Sequence, residues 1–252
     1  MLHYLISPKY FYQLANQLIP IAWIICLFAF SYGLIDGLIF APADYQQGEA
    51  YRIIYIHVPC AVLSLSVFMI MAIAAVVYLI WKIKLADIIA KVSAPIGASF
   101  TLLALLTGAL WGKPMWGTWW IWDARLTAEL ILLFIYMAII LVRSAIQNTD
   151  AAGRAAGILT LVGIIDIPIV HYSVNWWNTL HQKASLLQFA KPTLDPSMLV
   201  PLLAMLVAFF AYYVALLLMK SRHELMLREA EARRIQSLLS HTRSKINHAA
   251  SS

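Results

Sequence analysis

The sequence predicts an all-α integral membrane protein, a six-transmembrane-helix bundle with a Trp-rich outer loop. Three observations predict it. The chain is 62% hydrophobic with a mean hydropathy of +0.78 and only 12% charged residues, whereas soluble domains carry about a quarter. Six apolar stretches are long enough to cross a hydrocarbon core of about 30 Å. Lys and Arg fall unevenly on the two sets of connecting segments, as sidedness in a membrane requires. The same composition excludes a soluble enzyme and a disordered tail, and two cysteines exclude a disulfide scaffold.

The spans fall at about 19–40, 58–81, 92–111, 127–142, 155–174 and 198–219. The first is longer than the apolar part of a signal peptide, and Ala41-Pro42-Ala43 lies too far along the chain for a cleavage site, so no cleavable leader is expected. The second begins just after His57, and the third runs into a tryptophan-rich segment, 111–127. The fourth, at 16 residues, is below the usual minimum of about 17, which implies that the aromatic run before it completes the crossing at the membrane surface. The fifth carries Asp166 and Pro168. The sixth leads into a basic tail.

Residues 1–219 therefore form one membrane domain and 220–252 a basic, cytoplasmic, helical tail. In that tail Leu225, Leu227, Ile235, Leu238 and Leu239 alternate with Arg228, Arg233 and Arg234. Such a stretch is first an orientation and lipid anchor, lying on the inner leaflet or under a partner. The N-terminus, 82–91, 143–154 and the tail hold thirteen of the eighteen Lys and Arg, while Arg52, Lys113, Arg125, Lys183 and Lys191 lie on the opposite set. Both termini are thereby expected in the cytoplasm. In a bacterium the other face is the periplasm.

Topology sorts the unusual residues by side. His57 stands at the outer mouth of the second span, in Tyr55-Ile56-His57-Val58-Pro59. Seven of the nine tryptophans lie in two outer loops: Trp111, Trp116, Trp119, Trp120 and Trp122 before the fourth span, and Trp176 and Trp177 before His181. An interfacial belt would place tryptophan at both faces, as Trp23 and Trp81 do on the inner side. Rigid indoles in this density make either an anchor or a platform for a flat, partly apolar ligand.

A single histidine near a membrane surface is more often structural, but this pair shares one face and flanks the Trp-rich loop. A bundle that brought His57 and His181 to opposite sides of one planar molecule would fill both axial positions of a porphyrin iron, leaving none for oxygen. Lys113, Arg125, Arg52 or Lys183 would neutralise the propionates. No Cys-x-x-Cys-His motif is present for covalent attachment. Cys26 and Cys60 read as small buried hydrophobes. Asp123 caps the fourth span or accepts indole N–H groups. Arg125 either pairs with Glu129 one turn on or meets a ligand. Asp166 either joins a proton or ion path or satisfies backbone freed by a break near Pro168.

The run Trp-Gly-x-x-x-Trp-Gly-x-Trp-Trp-x-Trp-Asp-x-Arg-Leu-Thr, residues 111–127, resembles the WWD signature of the CcmC/CcsA family of haem-handling proteins in cytochrome c biogenesis, and within it the CcmC (haem exporter protein C) group. Six spans, a length near 250 residues, His57-Val58-Pro59 and Trp176-Trp177-Asn178-Thr179-Leu180-His181-Gln182 carry the resemblance over roughly 10–220. It implies haem b with His57 and His181 as axial ligands of the iron. Trp111, Trp116, Trp119, Trp120, Trp122, Trp176 and Trp177 would cradle the ring, and Asp123 and Arg125 would orient its edge or the incoming partner.

The resemblance further implies a carrier rather than an enzyme, in the bacterial inner membrane, with haem bound on the periplasmic side. It would load a membrane-anchored haem chaperone, CcmE, in company with the ABC transporter subunits CcmA and CcmB and the small single-span CcmD. His171 takes no ligand role. Two other classes compete: a proton-coupled transporter centred on Asp166 and His171, and a b-type electron-transfer membrane cytochrome with paired histidines inside its helices.

Overall fold

A computed structural model describes residues 7–181 and 194–250, with side chains described to 240. Gln182, Lys183, Lys191 and the side chains of the last part of the tail lie outside the described residues. The described chain is built from helices: α1 Pro8–Ile35, α2 Ile54–Trp81, α3 Lys84–Trp116, α4 Ala124–Ala145, α5 Thr149–Gly163, α6 Asp166–Trp176 and α7 Pro196–Ala250. A wide π-type turn, Asp36–Phe40, ends α1, and a 3-10 turn, Glu49–Ile53, leads into α2. Six of the helical segments are long and apolar enough to cross a membrane, with α5 and α6 together making the fifth. The chain is a multi-pass membrane protein.

Local chemistry sets the ends. Proline at the first turn of α1 and of α7 costs no hydrogen bond, because the N–H groups there have no helical partner. Asp123 caps α4 by accepting from the Leu126 N–H at 2.8 Å, and Asn148 caps α5 by accepting from Ala151 at 2.8 Å. Gly117, with φ at 77°, closes α3 in the left-handed conformation that a side chain disfavours.

Two local expectations change. The segment expected as a loop over 111–127 is non-helical only at 117–123, because α3 continues through Trp116 and α4 starts at Ala124. The aromatic run does not complete the fourth crossing, since α4 itself has 22 residues, about 33 Å of helix. The basic tail continues the last span as one 55-residue helix, and no Gly or Pro follows Pro201 to interrupt it.

The fifth span breaks between Gly163 and Asp166. Pro168 offers no N–H to the carbonyl of Ile164 four residues earlier, and its ring clashes with that carbonyl, so the break falls one turn before the proline. Asp166 lies just after the break, buried, with Oδ2 unpartnered among the described residues.

Helices α2, α3 and α4 enclose the main core of Phe68, Met71, Phe100, Leu132, Tyr136 and Ile139, with Tyr213 of α7 behind them. Helix α1 packs chiefly on α7 and turns Ile24, Leu27 and Phe28 outward, a face compatible with lipid and not with water. Two polar pairs lie inside the core: Ser93 with Tyr213 at 3.0 Å, and the Tyr136 hydroxyl donating to the Ser64 carbonyl at 2.8 Å. Successive spans alternate in direction. Segments 41–48, 117–123 and 177–181 therefore share one end, the Trp-rich end. At the other end Asp87 meets Arg143 and Arg228, each at 2.8 Å.

Candidate functional site

The Trp-rich end holds a cavity of about 280 Å³ lined by Gln46, Gln47, His57, Gly108, Trp111, Gly112, Met115, Trp116, Leu180 and His181. A narrower extension of about 40 Å³ runs inward past His57, His181 and Trp116 to Arg125 and Glu129. Four separate parts of the chain therefore converge on one space. The turn at 41–48 and the segment after α6 form its mouth, the first turns of α2 supply His57, and the last turns of α3 supply a wall.

That wall follows from helical spacing. Ala104, Gly108, Trp111, Gly112 and Met115 recur at intervals of three and four, so they occupy one face of α3. Small residues on that face leave room for the imidazole opposite. A Cβ on Gly108 would lie 3.2 Å from Cε1 of His57.

The two histidines meet. Their ring centroids are 6.2 Å apart with planes inclined at 39°. An imidazole nitrogen sits about 2 Å from its metal and about 1 Å from its own ring centre, so rings on opposite sides of one metal have centres roughly 6 Å apart. Among the described residues no group of three or more His, Cys, Asp or Glu is placed to hold a metal ion. Two imidazoles are too few for a bare ion, which takes three or four protein ligands. They are a complete axial set for an iron whose other positions a porphyrin fills. The donor set therefore fits haem.

His57 is only 8% exposed and is gripped on two sides. Its Nδ1 lies 3.0 Å from the Thr107 hydroxyl of α3. Its ring packs edge-to-face with Trp111 at 5.6 Å between centroids. Trp111 is itself fixed, its indole N–H donating to Oε1 of Gln47 at 2.8 Å and its ring meeting Tyr51 edge-on at 6.1 Å. Gln47 stands in a tight turn in which the Asp44 carboxylate accepts from the N–H groups of Gln46 and Gln47 at 2.9 and 2.8 Å.

Arg125 and Glu129 line the inner extension without forming the ion pair that their spacing suggested. Arg125 Nη1 donates instead to the carbonyl of Val170 on α6. Glu129, 5% exposed, accepts from the Ser64 hydroxyl at 2.7 Å and keeps Oε2 unpartnered among the described residues.

The structure thus brings together His57, His181, Trp111, Trp116 and Arg125 of the expected residues. The other tryptophans do not line the cavity. Trp119 and Trp122 are exposed, the latter at 75%, and Trp120 packs edge-on against Trp122 at 5.4 Å with its indole N–H buried and unpartnered among the described residues. Trp176 stacks on Tyr172 at 5.4 Å and abuts Trp177 at 5.8 Å, forming an exposed aromatic patch. Asp123 spends Oδ1 on the cap and has Oδ2 buried without a partner among the described residues. The composition-based reading missed Thr107, Gly108, Gly112, Met115, Gln46 and Gln47. The face of α3 carried a readable signal for Gly108, Gly112 and Met115; Thr107 and the glutamines carried none.

Residues 1–236 match the family model described as "Heme exporter protein C". A protein of that name from Haemophilus influenzae is 47% identical over 237 residues, covering 94% of this chain and 96% of its own. One from Escherichia coli K12 is 48% identical over 228 residues, 90% of this chain and 92% of its own. A putative cytochrome c biosynthesis ccmC-like mitochondrial protein of Marchantia polymorpha is 44% identical over 210 residues, 82% of this chain and 87% of its own.

Proposed function

Since the chain belongs to the haem exporter protein C family, we propose that it handles haem for cytochrome c maturation by clasping it between His57 and His181. It then gives the haem to a membrane-anchored chaperone. The supporting observation is the pair of imidazoles with centroids 6.2 Å apart at the shared wall of both cavities.

The work of this chain is positioning, so no residue serves as general acid or base. His57 and His181 hold the iron axially. Trp111 and Trp116 pack beside the ring plane, while Trp119, Trp120, Trp122, Trp176 and Trp177 offer indole surface where the ring edge emerges and the partner arrives. Arg125 neutralises a carboxylate on the ring edge, and Asp123 orders the start of α4 beneath it. Non-covalent holding with both axial positions filled suits haem b kept from oxygen until it is passed on. The chaperone corresponds to CcmE, and CcmA, CcmB and CcmD are the transporter and single-span partners. The excess of basic residues at the opposite end, thirteen of eighteen, supports termini in the cytoplasm and a cavity in the periplasm of a bacterial inner membrane.

The transporter reading gains no support from geometry. Asp166 and His171 are five residues apart on α6, about 140° around its axis, and His171 packs edge-on against Tyr172 at 4.6 Å. The visible spectrum of the detergent-purified, haem-loaded protein tests the proposal. A bis-histidine signal lost in both His57→Ala and His181→Ala and kept in Asp166→Asn is expected. Retention of that signal in either histidine variant overturns it.

A further inference from the structure

We infer that Thr107 is a positioning residue for haem, because its hydroxyl decides which nitrogen of His57 faces the cavity and holds that ring through a neutral acceptor. The inference rests on the axial role proposed for His57 and deepens it.

Counting protons gives the direction of the bond. A hydroxyl has one hydrogen and two lone pairs. Thr107 Oγ1 lies 2.6 Å from the Leu103 carbonyl and 3.2 Å from the Ala104 carbonyl. Carbonyls only accept, so the hydroxyl proton is spent on its own helix, in the back-bonded form common for threonine inside helices. Toward Nδ1 of His57, 3.0 Å away, the oxygen therefore offers a lone pair, and the Ala104 carbonyl is a second acceptor beside the same ring, so the hydrogen is assigned to Nδ1. In a neutral imidazole that leaves the free lone pair on Nε2. Thr107 and the helix carbonyl behind it favour this tautomer before any ligand arrives.

Two further features keep the contact in place. Threonine is stiff about its first side-chain bond, and its hydroxyl is already anchored to the carbonyls one turn back. Trp111 on the same helix, one turn beyond Thr107, closes the other side of the ring. Gly108, between them in sequence, supplies the space the ring occupies.

The identity of the acceptor has a consequence for release. Metal-bound histidines commonly give their second N–H to a carboxylate or a backbone carbonyl, which fixes the ring and makes it a stronger ligand. A neutral hydroxyl fixes the ring equally well while drawing less charge onto it than a carboxylate would. That combination suits a ligand whose cargo must leave.

The test uses the full chain in detergent, loaded with haem, as Thr107→Val, which keeps the shape and removes the hydroxyl, and Thr107→Ser, which restores it. Haem bound per protein after washing, the low-spin electron paramagnetic resonance signal and the haem midpoint potential are read in each. Haem retention about tenfold weaker and a broadened low-spin signal are expected in the valine variant, with the serine variant close to the parent. A valine variant that matches the parent in all three readings overturns the inference, as does a serine variant that falls as far as valine. His57→Ala is run alongside. If that variant keeps the bis-histidine signal, the axial assignment itself fails, which a silent Thr107→Val alone would not mean.

Discussion

Arg125 of α4 donates through Nη1 to the main-chain carbonyl of Val170 in α6, bolting the end of the Trp-rich segment to the helix that leads toward His181. The same carbonyl accepts from the Ser173 hydroxyl at 2.9 Å. Because Arg125 also lines the inner cavity, one side chain serves both the frame and the floor of the site. Arg125→Ala removes the guanidinium from that carbonyl and its charge from the cavity. We expect several-fold lower haem retention and faster proteolysis after α6, with the size-exclusion profile unchanged. Arg125→Lys should recover little of either, since an ammonium lacks the guanidinium fork that reaches the carbonyl while facing the cavity. Full recovery with lysine would show that charge alone matters.

Asp123 separates structural from ligand duty. Its Oδ1 caps α4 through Leu126, so Asp123→Ala should cost about 1 kcal/mol, read as a lower unfolding temperature in detergent. Asp123→Asn keeps an oxygen for the cap and removes the charge. If Asp123 acts mainly as a cap, the asparagine variant is as stable as the parent and binds haem alike. A stable asparagine variant that loses haem assigns the buried Oδ2, unpartnered among the described residues, to the ring edge or to the partner.

How much of this could be read from the chain depended on whether the physics was local. The apolar runs gave the six crossings, and Pro168 announced the break in the fifth span because the clash lies within one helical turn. Tryptophan clustering pointed to the end of the bundle that holds the cavity but not to the cavity wall. Density of indoles says nothing of which ones face inward, and only Trp111 and Trp116, on the last turns of α3, do. Gly108 and Gly112 were legible as one helix face with Trp111 and Met115, since α3 continues beyond 111. Gln47 was not, since its role depends on a turn built by Asp44 and on an indole 64 positions away. The charges at the opposite end served only to set orientation. That Asp87 would gather two arginines from distant helices is a tertiary fact with no sequence period.

Asp87 is the test of that opposite end. It is 1% exposed and sits 2.8 Å from the guanidinium groups of both Arg143 and Arg228. Removing one member of a buried charge cluster strands the others, so Asp87→Ala should cost about 3–5 kcal/mol. Lys91, paired with Glu224 at 2.7 Å but partly solvated, should cost less than about 1 kcal/mol as Lys91→Ala. Thermal unfolding in detergent ranks the two, and equal losses would mean that the cluster is effectively solvated.

Two glycines of α3 should fail in different ways, which separates the frame from the site on a single helix. At Gly97 a Cβ would lie 2.4 Å from the ring and hydroxyl of Tyr136, a side chain fully buried in the core whose hydroxyl is tied to the Ser64 carbonyl. Neither ring nor helix can yield cheaply, so Gly97→Ala should destabilise by about 1–3 kcal/mol through overpacking. At Gly108 the contact is 3.2 Å to Cε1 of His57, and the imidazole borders a cavity into which it can shift. Gly108→Ala should therefore leave the unfolding temperature close to that of the parent while displacing the ring from its place opposite His181. Its signature is lost haem retention in a stable protein. Gly97→Ala should show the reverse: a lower unfolding temperature, with the haem spectrum of the surviving folded fraction unchanged. A Gly108→Ala variant that keeps both its stability and its haem would mean that the 6.2 Å separation tolerates displacement of one ring, and the histidine pair would then not be the element that fixes the iron.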